Sequence, residues 1–271
     1  MTAGTASRIS DLFQTCRVQN RKAFIAYITA GDPAPQATAS LVHALERGGA
    51  DLIELGLPFS DPIADGPVIQ RASDRALRAG MTLPRLLESV REIRRSSEIP
   101  LLLFSYLNPL LRYGFDRLAH DAAATGIDGV LLTDLSVEEA AEPVRQLRRH
   151  GLDSVFLAAP TSTDHRLRLV AEHSSGFVYL VSRTGVTGEQ QTVSDSARPL
   201  IERMRRWTDL PLAVGFGVST TAQVREVASI ADGVVVGSAL VRYIESHGGE
   251  SDLTDGLQAF TAQLTSSLRP S

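Results

Sequence analysis

Glu54, Asp61 and Asp65 fall in one short segment, ELGLPFSDPIADGP, which begins at the end of an apolar run. Glu54 lies inside DLIEL, between Ile53 and Leu55. A carboxyl group so flanked is partly desolvated, which raises its pKa toward the range of a general acid/base. The structural alternative is a carboxylate paired with a backbone or arginine group. Buried glutamate is rare without a reason, so function is the stronger reading. Asp65 sits in ADGP, where Asp-Gly alone signals no more than a turn. Tyr106 in FSYLNP and Tyr179 in FVYLVS sit in apolar runs, where each could face a cavity or fill a core. These side chains suit acid/base chemistry on a small substrate.

Other chemistries find little support. Lysine occurs once, at Lys22, ahead of the first apolar run, which argues against a Schiff base at the site. His43, His120, His150, His165, His173 and His247 fall in helical patterns or near their ends, without metal-ligand spacing, so no metal is expected. The one cysteine, Cys16, cannot form an internal disulfide and reads as a small apolar residue of a first helix. No G-x-S-x-G elbow is present.

Two further segments, GFGVSTTAQV and VVVGSALV, each place a glycine at the start of a helical pattern: Gly217 before Ser219, and Gly237 before Ser238. Open backbone N–H groups and a helix dipole suit a phosphate there. A lone glycine at such a turn is usually steric, but two on neighbouring strands point to a phosphorylated substrate. Gly188, in SRTGVTGEQQTVS, could close over the same group.

The elements that would position these residues are short apolar runs alternating with amphipathic stretches. Strands are expected at Phe24–Thr29, Asp51–Leu55, Pro100–Tyr106, Asp128–Thr133, Ser154–Ala159, Phe177–Ser182, Pro211–Phe216 and Asp232–Val236. Their continuous apolar character is that of strands buried on both faces in a parallel sheet. Eight strand–helix units predict a (β/α)8 TIM barrel spanning residues 1–271 as one domain. An open doubly wound sheet uses the same units, but TAGDP after the first strand lacks a dinucleotide fingerprint. The intervals after the second and sixth strands are oversized. The first carries the acidic segment; the second has the composition of a lid. An extra N-terminal helix, Ile9–Val18, is expected to cover the barrel floor, and LTDGLQAFTAQLTSSL supplies a last helix. Arg91, Arg94 and Arg95 read as a solvated helix face.

A formal net charge of −4 argues against nucleic acid as a main partner. No apolar stretch is long enough to span a membrane, and the first residues do not form a signal peptide. The expected location is the cytoplasm.

ELGLPFSDPIADGP, together with AYITAGDP, SRTGVTG, GFGVST and ADGVVVGSA, resembles the tryptophan synthase alpha chain family, in order from about the first strand to the last. The resemblance implies a barrel that splits indole-3-glycerol phosphate into indole and glyceraldehyde 3-phosphate, with no metal and no cofactor of its own. It implies Glu54 as the proton shuttle and Asp65 as acceptor for the indole N–H. It places Tyr179, Phe24, Tyr106, Thr187 and Phe216 around the indole and glycerol parts. Gly188, Gly217, Gly237 and Ser238 would hold the phosphate. It further implies a tryptophan synthase beta chain as partner, carrying pyridoxal phosphate in an alpha2beta2 complex, with Asp61 at the interface or capping a turn. One departure stands out: Ser136 occupies a place where the family often has proline, so a looser loop facing the partner is expected. Two rival readings follow, a stand-alone lyase releasing indole for specialised metabolism and a non-catalytic barrel that binds a sugar phosphate.

Overall fold

The computed structural model describes residues 7–181, 193–215 and 217–268. Among the described residues nine parallel strands form one sheet: β1 (Ala23–Thr29), β2 (Leu52–Gly56), β3 (Leu101–Ser105), β4 (Gly129–Leu132), β5 (Asp153–Val155), β6 (Leu157–Ala158), β7 (Val178–Val181), β8 (Leu212–Gly215) and β9 (Gly233–Val236). Their order is β5-β4-β3-β2-β1-β9-β8-β7-β6. The ends meet, because β5 and β6 are two pieces of one run. Asp153 pairs with Gly129 on one side, and Leu157 with Tyr179 on the other. The Tyr179 N–H donates to the Phe156 carbonyl at 3.1 Å across the seam. The expected fifth strand therefore appears as two. Alternation of side chains continues through Phe156; only the hydrogen-bonding partner changes.

Side chains alternate across this ring. Ala23, Ile25, Leu52, Leu102, Leu131, Val155, Phe177, Tyr179, Ala213 and Val235 pack into the interior. Phe24, Ala26, Ile53, Leu55, Val178, Leu180, Val234 and Val236 pack outward under the surrounding helices. Among these helices are α1 (Arg8–Val18), α2 (Thr38–Arg47), α3 (Pro67–Arg78), α4 (Leu83–Ile93), α5 (Leu107–Tyr113) and α6 (Phe115–Thr125). Then follow α7 (Ala141–Arg149), α8 (Asp164–His173), α9 (Val193–Met204), α10 (Thr221–Ala228), α11 (Ser238–His247) and α12 (Leu253–Thr265).

The floor is closed by α1, as expected. Ile9, Phe13 and Cys16 join the interior cluster, and the Phe13 and Phe177 rings stand 5.6 Å apart. Aspartates at the strand entrances peg the neighbouring strands: Asp51 accepts from the Phe24 N–H (2.8 Å), Asp128 from Leu101 (2.8 Å) and Asp232 from Leu212 (2.9 Å). Arg94 departs from the solvated face expected for it. Its guanidinium is largely buried, bonding Asp128 at 2.8 Å and the carbonyls of Gly126 and Ile99 at 2.9 and 2.7 Å. Arg91 and Arg95 are exposed, as expected. Ser136 adopts φ −62°, within the range a proline would impose. Its hydroxyl donates to Glu138 within its own turn.

Because Phe13 is the ring that seals the floor, Phe13→Ala should cost about 3–5 kcal/mol in urea unfolding. Turnover per folded molecule should hold, since Phe13 does not line the cavity at the opposite end.

Candidate active site

At the carboxyl ends of the strands lies a cavity of about 340 Å³, lined by Tyr27, Glu54, Asp65, Phe104, Tyr179 and Gly237 among others. Its size is that of a small-molecule site. Six residues singled out in the sequence meet on its wall: Glu54, Asp65, Tyr179, Gly217, Gly237 and Ser238. Thr187, Gly188 and Phe216 lie outside the described residues, as does the expected lid from Ser182 to Thr192.

Glu54 points inward because it is two residues on from Leu52, an interior position of β2. Its residue is 1% exposed. Oε1 is buried without a hydrogen-bond partner among the described residues. Burial alone raises its pKa to about 8. Tyr179 is buried nearby, and burial, with the Glu54 charge adding, holds its phenol well above the ordinary range. Glycines make room for two tyrosines. A Cβ at Gly56 would collide with the Tyr27 hydroxyl, and one at Gly215 with that of Tyr179.

Asp65 comes from the loop after β2, just before the Gly66–Pro67 start of α3. The loop is tied down at several points. Gln70 donates to the Asp65 carbonyl at 2.9 Å, and the Asp65 N–H donates to Pro62 at 3.0 Å. Tyr106 is the main peg: its hydroxyl accepts from the Ala64 N–H (2.9 Å) and donates to Asp65 Oδ2 (3.1 Å). Burial raises the Asp65 pKa to about 6, against the opposing effect of the Tyr106 hydrogen bond. Tyr106 itself is 3% exposed and stands behind Asp65 rather than on the cavity wall. Its ring packs on Phe59 at 5.1 Å.

Phe24 is a correction. It is fully buried in the outer core, under the helices, and does not line the cavity. Phe24 and Tyr27 are three positions apart, an odd number, so they face opposite sides of β1. Tyr27 is the aromatic that lines the cavity, paired in register with Glu54 and set edge-on to Phe104 with ring centres 5.1 Å apart. Sequence reasoning also missed Phe104, Ile69, Val235 and Arg242 on this wall. Strand parity would have found Phe104 and Val235. Helical spacing would have found Arg242, four residues after Ser238.

The two glycine turns are unequal. The start of α10 is already capped: Gln223 Oε1 accepts from the Ser219 and Thr220 N–H groups at 2.9 and 3.2 Å. Ser219 is thereby turned away from the anion role. The start of α11 has Gly237 as its cap residue and no side-chain cap, so its first N–H groups point at the cavity edge beside Ser238. Gly217 lies at the other turn, lining the same cavity with φ +84°.

Asp61 lies off the cavity, on the exposed part of the same loop, accepting from the Ser60 hydroxyl at 2.6 Å. Two residues on, Ile63 is 87% exposed. Among the described residues there is no cluster of three or more groups suited to a metal ion.

Comparison with known proteins agrees with the resemblance. The family model described as tryptophan synthase alpha chain matches residues 13–268. A tryptophan synthase alpha chain of Solibacter usitatus is 62% identical over 258 residues, 95% of this chain and 97% of that one. One of Geotalea uraniireducens is 50% identical, covering 97% and 98%. Among solved structures, tryptophan synthase subunit alpha from Legionella pneumophila superposes with a TM-score of 0.90 at 36% identity, covering 97% of this chain and 99% of that one. A tryptophan synthase structure from Mycobacterium tuberculosis gives 0.89 at 39%, covering 98% and 100%.

Glu54, buried with Oε1 lacking a hydrogen-bond partner among the described residues, carries a stability cost that depends on pH. Its folded pKa of about 8 lies above its ordinary value, so the folded chain holds the proton while the unfolded chain releases it. Stability therefore falls as pH rises from the unfolded value toward the folded one. Glu54→Gln should resist urea better than the parent at pH 7.5, by about 2–4 kcal/mol. The advantage should shrink toward pH 5. A gap that does not change with pH would contradict a neutral, buried Glu54.

Proposed function

The chain belongs to the tryptophan synthase alpha chain family, and from that premise we propose how this cavity performs the family's reaction, the retro-aldol cleavage of indole-3-glycerol phosphate. The enzyme is a carbon–carbon lyase, and its products are indole and glyceraldehyde 3-phosphate. One observation carries the assignment of roles. Two carboxyl groups on one wall have their pKa values pushed apart, Glu54 to about 8 and Asp65 to about 6. At neutral pH the first is an acid and the second an anion. Such a split assigns acid and base duties.

The indole C3 carbon must take a proton before it can leave. Protonated Glu54 supplies it, leaving a cationic ring with its charge on nitrogen. Asp65, fixed by Tyr106, accepts a hydrogen bond from the indole N–H and stabilises that charge. The Glu54 carboxylate then takes the proton from the hydroxyl on the carbon bonded to C3. That C–C bond breaks, its electron pair returns to the ring, and the hydroxyl carbon becomes the aldehyde. Protons balance, and Glu54 ends as it began. Tyr179 and Tyr27 border the reacting carbons, while Phe104 and Ile69 supply apolar wall for the ring. The phosphate lies on the N–H groups at Gly237 and Ser238, with Gly217 opposite.

The scheme uses no metal, Schiff base or cofactor of this chain. We assign pyridoxal phosphate to the beta chain, the proposed partner in an alpha2beta2 assembly. Exposed Asp61 and Ile63 on the active-site loop offer that partner a mixed polar and apolar contact. The proline-like backbone at Ser136 keeps the neighbouring loop in shape for the same surface. Among the described residues no helix is long and apolar enough to cross a membrane; we place the protein in the cytoplasm.

The deciding experiment is indole release from indole-3-glycerol phosphate by the purified chain, alone and then with a beta chain plus serine. Weak release that rises strongly with the partner is the expected result. High release unchanged by the partner would mark a free-standing lyase, and none under either condition would remove the assignment. Glu54→Gln should lower kcat about 10²- to 10⁴-fold while glycerol 3-phosphate still binds. Asp65→Asn should lower it about 10²- to 10³-fold.

The pH profile of kcat/KM should be bell-shaped. Its acid limb near pH 6 reflects loss of the Asp65 anion, and its alkaline limb near pH 8 loss of the Glu54 proton. Asp65→Asn should abolish the acid limb alone.

A further inference from the structure

Among the described residues lining the cavity, Arg242 is the one cation. It stands four residues after Ser238 on α11, hence on the same helix face, one turn above the uncapped N–H groups. An arginine here would normally pair with an acid three or four positions along the helix. Glu245 is that acid, and it is taken. Both its oxygens are held from α3, Oε1 by Arg71 and Arg75 at 2.7 Å each, and Oε2 by Arg71 at 2.8 Å. Arg75 is in turn clamped on Asp32 at 2.8 and 2.9 Å. The intrahelical partner of Arg242 is thus engaged elsewhere. Arg242 remains exposed at the cavity rim, without a carboxylate partner among the described residues.

We propose that Arg242 is the charge-selecting residue of the phosphate subsite, the group that makes this cavity prefer a phosphate dianion to a neutral or singly charged end. This rests on the reading of the cavity given above. The backbone N–H groups of α11 offer direction and a partial positive charge. They accept any small oxyanion or hydroxyl that fits. A guanidinium at the rim adds a full charge, bidentate geometry for phosphate oxygens and long-range attraction for an incoming anion. The Arg71–Glu245–Arg75 cluster contributes by removing the acid that would otherwise neutralise Arg242.

The test compares the parent with Arg242→Gln and Arg242→Lys, using sn-glycerol 3-phosphate and indole as separate probes in titration calorimetry at low and high salt. Arg242→Gln should raise the Kd for glycerol 3-phosphate about tenfold or more, the worth of one charge-assisted hydrogen bond. It should leave indole affinity alone and flatten the salt dependence. Arg242→Lys should recover most of the salt dependence but only part of the affinity. With indole-3-glycerol phosphate, KM should rise far more than kcat falls. Unchanged glycerol 3-phosphate binding in Arg242→Gln would overturn the proposal, as would an equal loss of indole binding, which is the mark of a structural role. A parent that binds glycerol 3-phosphate yet releases no indole would defeat the proposed reaction, while the titration of the variants would still decide the role of Arg242.

Discussion

The two-residue alternation of side chains in a closed ring of parallel strands is the constraint from which the site follows. Once the ring closes, each strand position is either interior or under a helix. Glu54 shares the interior parity of Leu52, and Tyr179 that of Phe177. Neither can turn to solvent without breaking the register. The plug formed by Ile9, Phe13 and Cys16 denies water access from the floor. A carboxyl group held there, with Oε1 unpartnered among the described residues, keeps its proton because the ionised form has lost its solvation. The protonation state of Glu54 is thus a consequence of barrel closure, with no charged neighbour needed to set it.

The second carboxyl group needs the opposite treatment, and receives it by sitting on a loop. Asp65 keeps part of its exposure and takes a hydrogen bond from Tyr106 that favours its anion. Tyr106 also accepts from the Ala64 N–H, so a single phenol fixes both the backbone and the carboxylate of the loop. A group on a strand could be fixed as firmly, but it would be desolvated as Glu54 is. Placing one acid on the sheet and one on a pegged loop lets a single cavity hold an acid and an anion at one pH.

The sequence was informative wherever chemistry rests on residue type and short spacing. That Glu54 and Asp65 belong together was legible from one segment, and both line the cavity; the floor helix was legible as an extra element ahead of the first strand. The errors have a common cause in parity and partner choice. Phe24 lies three positions from Tyr27, and continuous burial of β1 on both faces hides which aromatic looks inward. The split at Phe156 is a change of hydrogen-bonding partner, which leaves no trace in an apolar run. Ser219 looked as suitable for an anion as Ser238, until Gln223 was seen to occupy the N–H groups around it. Arg94 looked solvated because the Gly126 carbonyl and Asp128 that bury it come from the turn leading into β4, distant in sequence, while the Ile99 carbonyl comes from the turn leading into β3.

The distance between the two ends of the cavity is itself held by structure. Asp65 lies two residues before α3, and Gly237 immediately precedes α11. Ile69 and Ala72 of the first helix pack with Val241 of the second and with Tyr27. Apolar packing of this kind resists separation, but it resists sliding along the helix axes only weakly. The bidentate Arg71–Glu245 pair, shared with Arg75 and anchored on buried Asp32, adds directed bonds that fix the axial register. Isolated surface pairs contribute little to stability. A network tied to a buried carboxylate is better suited to geometry than to stability. Here it fixes the start of α3, beside Asp65, against the start of α11 at Gly237, and so holds the two ends of the cavity at a set distance.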